Sequence, residues 1–444
     1  MEAGNDKRHS TTMNSFQDIE QFRNQIFQTL GKGRDAFMDL MDAVLTSRNV
    51  SSLAEFSLSP LFRRQYASVY KVLQNGSVPR LALMKECVKY LPPSGVVVLA
   101  GDHTAWSRLD AVTLQERTYE HQPQPLGNKP VTLGQGYSTI AWIPETEGSW
   151  VLPLLHERIT SFEKPVDKAA TQLRLATAQV SNRVLFLGDS EYACAPFINQ
   201  ASDIDCDKLL RLRPNRVLYY PPSEPYSGNG RPPLHGEKFS LRDSETWGDW
   251  QKELYFVDPK LGKLRVRMWQ ELHLTGAADK PVRLILVDRL DAPNAKPLWL
   301  IWLGISEPDL TQIWKQYLRR FAIEHWYRFV RKRLHWTLPN LSSSKQTDTW
   351  SDLMPLLTWQ LWLARNVVID CPLPWQKKMT KLTPGRVANS FATVLARIGT
   401  PACDPKTRGK APGWPTGKTR RKKPRYPTVK KSYKKPSHPK TSTA

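Results

Sequence analysis

Between residues 14 and 90 the apolar positions recur at helical spacing. "SFQDIEQFRNQIFQTL" opens this region with Ser15 as its N-cap, and "DAFMDLMDAVL" and "PLFRRQYASVYKVLQNG" continue it. "PPSG" at 92–95 closes the helical stretch. From residue 96 the pattern changes. "VVVLAGD" is a short apolar run rich in β-branched residues, as in a buried strand. "LDAVTLQERTYEH", "YSTIAWIP" and "SWVLPLLHERI" predict further strands, "ATQLRLATAQV" a helix and "RVLFLGDS" another buried strand. Strands first, then helix and strand alternating, predict a mixed α/β sheet. Residues 210–305 predict a second β-rich stretch, with alternating segments such as "KLRVRMWQELHL" and Pro/Gly-rich loops, read as an insertion or subdomain. A basic helix (316–336) and an apolar helix (352–369) follow. The predicted organisation is a helical N-terminal domain (1–95), a first sheet segment (96–209), the β-rich insertion (210–305), helices (306–403) and a tail (404–444). The N-terminal helices suit DNA binding or plain packing equally, since no helix-turn-helix is evident. The tail has too few apolar residues to fold alone and is expected to be disordered.

Charge sharpens this outline. The net charge is +23, and fourteen Lys/Arg against one acid fall between Asp404 and Ala444. The remainder is also basic, which points to a polyanionic partner, solubility alone being the bland alternative. Five cysteines lie far apart with no C-x-x-C pair, which fits a reducing compartment and offers no zinc knuckle or disulfide framework. The first residues lack the apolar core of a signal peptide, and the apolar stretches are too short or too interrupted to cross a bilayer. The expectation is a soluble intracellular protein without a membrane partner.

Candidate chemistry gathers at three places. Two apolar runs each lead into Gly-Asp, one at Asp102 and one at Asp189. Ligand sites in open α/β sheets collect where strands end, although one such Asp often only starts a turn. The third place is "QYLRRFAIEHWYRFVRKRLHW", with six Arg or Lys and one acid, Glu324. Tyr317, Arg320, Glu324, Arg328 and Arg331 fall on one helical stripe, and Ile323, Trp326, Val330 and Leu334 on an apolar one. Glu324 could be a surface ion pair with Arg320 or Arg328, which stabilises a helix by only about 0.3–0.5 kcal/mol. It could instead join Asp102 and Asp189 as a third carboxylate. Three acids can hold two divalent cations for phosphoryl transfer, with arginines meeting the phosphates. No phosphate-binding G-x-x-x-x-G-K-[ST] loop occurs. His103 has no second His at a zinc-binding spacing, and Glu191 reads as solvent-facing.

The spacing Y-x2-R-x3-E-x6-[K/R] at Tyr317, Arg320, Glu324 and Arg331 resembles the tyrosine–arginine–glutamate–lysine signature of bacterial insertion-sequence DDE transposases. Asp102 and Asp189 match the other two acids of that triad, and the resemblance covers roughly residues 96–340. The last signature position holds Arg331 where the family has lysine, so charge is retained but not geometry. The resemblance implies an RNase H-like mixed sheet flanked by helices, with a β-rich insertion before the last catalytic helix. It implies two Mg²⁺ ions, replaceable by Mn²⁺, on Asp102, Asp189 and Glu324. Tyr317, Arg320, Arg328 and Arg331 would contact double-stranded DNA, both transposon ends and target. The implied setting is the bacterial cytoplasm at the nucleoid, with a homodimer on DNA, although no coiled coil is visible. In relatives a tryptophan of the insertion can stack on a flipped base. Trp299 is one candidate, with Trp269 and Trp302 as competitors, and a core role is the plain alternative. A metal-dependent nuclease of the same fold, or a non-catalytic DNA-binding derivative, are the rival readings.

Overall fold

Helix α1 (Phe16–Thr29) starts where its cap is. The Ser15 hydroxyl accepts from the Asp18 amide at 3.2 Å, and the Ser15 amide donates to the Asp18 carboxylate at 2.7 Å, closing both ends of a capping box. The computed structural model describes residues 15–121, 130–223, 228, 230–292, 294–407, 413, 415–419 and 422–431. Helices α2 (Arg34–Thr46), α3 (Tyr66–Asn75) and α4 (Arg80–Val88) complete the N-terminal region. Gly33 enters α2 at φ +90°, a conformation that needs glycine, and a Cβ there would meet Val72 at 2.9 Å.

The sheet forms next. Strands β1 (Val97–Ser107), β2 (Thr118–His121), β3 (Val131–Trp142) and β4 (Leu152–Ile159) lead to α5 (Pro165–Thr177), β5 (Val184–Gly188), α6 (Ala195–Ala201) and β6 (Asp207–Arg211). β7 (Val217–Tyr219), β8 (Lys238–Ser240), β9 (Lys252–Asp258), β10 (Gly262–Leu274), β11 (Val282–Arg289) and β12 (Leu298–Leu303) follow. They make one 12-stranded sheet in the order β2-β3-β1-β5-β6-β12-β11-β10-β7-β8, with β4 also on β3 and β9 also on β10. β1, β5 and β6 run parallel to one another and the remaining pairs are antiparallel. This helix-flanked mixed sheet is compatible with the RNase H-like fold. The β-rich segment extends the main sheet, because β12 pairs with β6 through Leu300 opposite Arg211. A bulge between Trp269 and Leu272 bends β10 and sets Glu271 at φ 59°.

Local pattern and structure part in several places. Only Thr118–His121 of the strand predicted over 109–121 pairs in the sheet; the residues before it form turns. The single basic helix predicted over 316–336 is α7 (Ile313–Leu318), a 3₁₀ turn (Arg319–Phe321) and α8 (Ala322–Lys332). α9 (Ser344–Ser351), α10 (Leu353–Ala364) and α11 (Pro384–Ile398) follow, within the stretch predicted to be helical over 306–403.

Two compact units result. One comprises residues 1–86, 329–339 and 356–417, so the N-terminal helices share a core with C-terminal ones. In it Arg23, buried, donates to Asp42 at 2.7 Å and to Gln360 at 2.6 Å. The other comprises residues 87–328, 340–355 and 418–444 and holds the sheet. Part of the tail expected to be disordered belongs to it: residues 422–431 lie against residues 112–120, because Lys431 finds a buried acid there in Glu120. Among the described residues no helix is long and apolar enough to cross a membrane.

Candidate active site

Asp102 and Asp189 are brought level by strand register. β1 and β5 pair in parallel up to Ala100 opposite Leu187, and two residues further on stand Asp102 and Asp189. Neighbouring strands lie about 4.7–4.9 Å apart, so two carboxylates emerge side by side from the middle of the sheet. Asp189 follows the end of β5. Asp102, expected at a strand end, lies within β1, which continues against β3 to Ser107. Only its parallel neighbour stops there, and that opens one side of the strand.

Burial makes this pair electrostatically demanding. Asp102, its side chain 15% exposed, has its pKa pushed up to about 6, chiefly by burial and further by Asp189, against the pull of Arg320 and His103. The His103 amide donates to Asp102 at 2.9 Å and the Glu191 amide to Asp189 at 2.9 Å. Three buried polar atoms in this neighbourhood, Tyr192 Oη, His103 Nδ1 and Arg320 Nε, have no hydrogen-bond partner among the described residues. Both aspartates act on Tyr192, whose pKa is raised, first by burial and then by Asp102 and Asp189. An unmet buried polar group costs about 1–3 kcal/mol. Three around one pair of acids suit a site that a bound cation and its waters would complete.

The basic helix contributes by bending. The 3₁₀ turn changes the helical phase, so the five-residue stripe is not continuous. Tyr317 and Arg320 turn inward and are buried, whereas Glu324 and Arg328 are exposed. Arg320 Nη2 lies 2.7 Å from Glu324 Oε1 and Nη1 lies 3.8 Å from Asp102 Oδ2. Burial disfavours its charge, but Asp102, Tyr317, Asp189 and Glu324 together outweigh that and its pKa is raised. Tyr317 is raised too, mainly by burial. The structure therefore gathers Asp102, Asp189, Arg320, Tyr317 and Glu324. It does not hold the three acids closed on one point: among the described residues no three His, Cys, Asp or Glu side chains could hold a metal ion as they stand. The pair foreseen as the bland alternative for Glu324 exists, and its partner is also the neighbour of Asp102. Glu324, its side chain 49% exposed, is held by the ion pair with Arg320 rather than by burial. Arg331 lies further along α8, its guanidinium 5.8 Å from the Trp336 ring.

The apolar stripe is as predicted, with Ile323, Trp326, Val330 and Leu334 all buried. One helix residue sequence reasoning missed is Tyr327, which falls on that stripe. Its hydroxyl donates to the Asp102 carbonyl at 3.0 Å and is 2.8 Å from Thr139 Oγ1, itself 2.8 Å from His156 Nδ1. This ties α8 to β1 at Asp102 itself. Glu191, read as solvent-facing, lies 3.3 Å from His103 Nε2. No local pattern could have shown either contact, because each joins segments far apart along the chain.

Trp299 does not offer a stacking face. It is 1% exposed and packs among Phe239, Trp247 and Trp269. Trp269 and Trp302 are buried as well. From Trp299 to Leu303 every residue of β12 is buried, so the strand is covered on both faces, and Trp269 lies in a buried run of β10. The exposed tryptophan of the segment is Trp250, 46% exposed, with the Arg267 guanidinium 5.4 Å from its ring.

The profile of the family described as DDE superfamily endonuclease matches residues 25–273, more than half of the chain. None of the curated proteins compared with the chain matches it.

Proposed function

The chain belongs to the DDE superfamily endonuclease family, and from that premise we propose that it is a transposase of the tyrosine–arginine–glutamate–lysine type. It would cut and join DNA at the inverted-repeat ends of a bacterial insertion sequence. The family's enzymes generally use divalent metal ions. One observation carries the reading furthest. A single buried guanidinium, Arg320, reaches both Asp102 and Glu324, and Asp102 stands level with Asp189 on the adjacent parallel strand.

Asp102, Asp189 and Glu324 would hold two Mg²⁺ ions, with Mn²⁺ as a substitute. Bound there, the metal activates the attacking water or 3′-hydroxyl and stabilises the leaving oxygen. The protein's own groups prepare that step. Arg320 keeps its charge despite burial because acids surround it, so it can offer a bidentate contact to a phosphate. A DNA phosphate competes with Glu324 for this guanidinium and releases the carboxylate towards the aspartates. Tyr317, Arg328 and Arg331 would position neighbouring phosphates. Trp250, the exposed ring, takes the stacking role first given to Trp299. Synapsis of two ends calls for a homodimer on DNA, at the bacterial nucleoid.

The test is Glu324→Gln on DNA bearing the inverted repeats. The variant loses a metal ligand worth several kcal/mol of transition-state stabilisation, on the order of a thousandfold or more in rate. Cleavage should vanish in a gel assay while end binding persists, and cleavage at the normal rate refutes the assignment. Strand joining from precleaved ends separates a transposase from a nuclease that only cuts.

A further inference from the structure

The last described segment of the chain forms a strap. Residues 422–431 run beside residues 112–120, with the Tyr426 amide donating to the Val112 carbonyl at 2.9 Å and the Val429 amide to the Arg117 carbonyl at 2.8 Å. Lys423 hydrogen-bonds to the Ser342 hydroxyl. The strap ends on an ion pair in which Lys431 Nζ lies 2.9 Å from one Glu120 oxygen and 3.0 Å from the other. Those side chains are only 14% and 7% exposed.

Glu120 explains why the strap stays. Its carboxylate is wedged over β3, where a Cβ on Gly136 would meet it at 2.8 Å. The Thr118 hydroxyl also donates to it. Among the described residues Lys431 is its ion-pair partner, and lifting the strap away would leave a buried charge without a cation, a strongly destabilising outcome.

Docking sorts the strap's side chains. Tyr426, Thr428, Val429 and Lys431 are half-buried, whereas Lys422, Arg425 and Lys430 are exposed. Extended chain over these nine positions spans about 26 Å, the length of about eight base pairs of duplex. The strap runs by β2, the outermost strand of the sheet on that side. A charge-dense segment that composition alone would leave formless thus presents a fixed row of cations.

We propose that this docked strap is a sequence-independent contact surface for duplex DNA, separate from the carboxylate site, with Lys422, Arg425 and Lys430 meeting backbone phosphates. It rests on the reading of the protein as one that acts on DNA. The Lys431–Glu120 pair sets the position of the row.

The test uses the full chain, EDTA and a 30-bp duplex (about 100 Å long) lacking inverted repeats, with affinity followed as salt is raised. The variant K422Q/R425Q/K430Q changes only exposed side chains. It should lower the slope of log affinity against log salt by about 2–3, since each phosphate contact contributes about 0.9. A second variant, Glu120→Gln, makes the protein more positive by one charge yet unpins the strap, so it should bind the duplex more weakly. An unchanged slope in the triple variant, or equal or tighter binding by Glu120→Gln, overturns the proposal. Stronger competition by an RNA strand or polyglutamate than by duplex DNA overturns the choice of partner. Failure of metal-dependent cleavage would count against the catalytic reading and leave this binding result standing.

Discussion

Asp102 faces two opposed demands. Burial lifts its carboxyl pKa to about 6, against the pull of Arg320 and His103 and with help from Asp189. Its ordinary value is 3.8, so between these two values the folded protein holds a proton that the unfolded chain has released. The stability this residue contributes is full below pH 3.8, declines as pH rises and is lost above about 6. Asp102→Asn stays neutral throughout and escapes that loss. In EDTA, its thermal midpoint relative to the unaltered protein should be higher at about pH 7.5 than at about pH 4.5. An equal difference at both pH values would show that Asp102 is not strained by its charge. The same strain suits catalysis, because a bound cation would offset it.

At the scale of elements, the placement of α8 on the sheet decides where Glu324 can reach. The apolar stripe packs the helix but leaves sliding and rotation open. Tyr327, three residues beyond Glu324, removes that freedom by donating to the Asp102 carbonyl. Tyr327→Phe keeps the ring and loses the hydroxyl. It should destabilise the protein by about 1–3 kcal/mol and lower cleavage by about tenfold or more through misplacement of the carboxylate. It should also raise the metal concentration needed for half-maximal cleavage, leaving duplex binding unchanged. A merely structural tyrosine would lower stability without moving the metal dependence, so that titration is the deciding measurement.

At the scale of the whole molecule, the N-terminal helices are not self-sufficient. Arg23 spans Asp42 in α2, Gln360 in α10 and the Gly399 carbonyl after α11. Arg333 donates to the carbonyls of Leu45 and Ser47 at the end of α2 and to that of Ala388 in α11. Its burial, with Arg48 nearby, lowers its pKa to about 10. A fragment ending at residue 95 lacks Arg333, α10 and α11, and it would expose the face of α2 that α11 covers. We expect no cooperative thermal transition for that fragment by circular dichroism. A sharp transition would mean that residues 1–95 fold alone, as their helical pattern by itself suggests.

Periodicity is a local property, and what depended on it was legible along the chain. The Ser15 cap, the buried runs of β1 and β5 and the stripe of Ile323, Trp326, Val330 and Leu334 all follow from neighbouring residues. So does the spacing of Tyr317, Arg320, Glu324 and Arg331 along the basic segment. The 3₁₀ turn that buries Arg320 is a tertiary result, since packing against the sheet overrides helical phase. The burial of Trp299 depends on which partners β12 finds, and its run of apolar residues suits either face. The Lys431–Glu120 pair joins residues 311 positions apart, and composition could only describe that tail as charged. Sequence determined which residues are candidates for the chemistry; the path of the chain decided which charges meet, because Coulomb energy and desolvation depend on distance in space and not on separation along the chain.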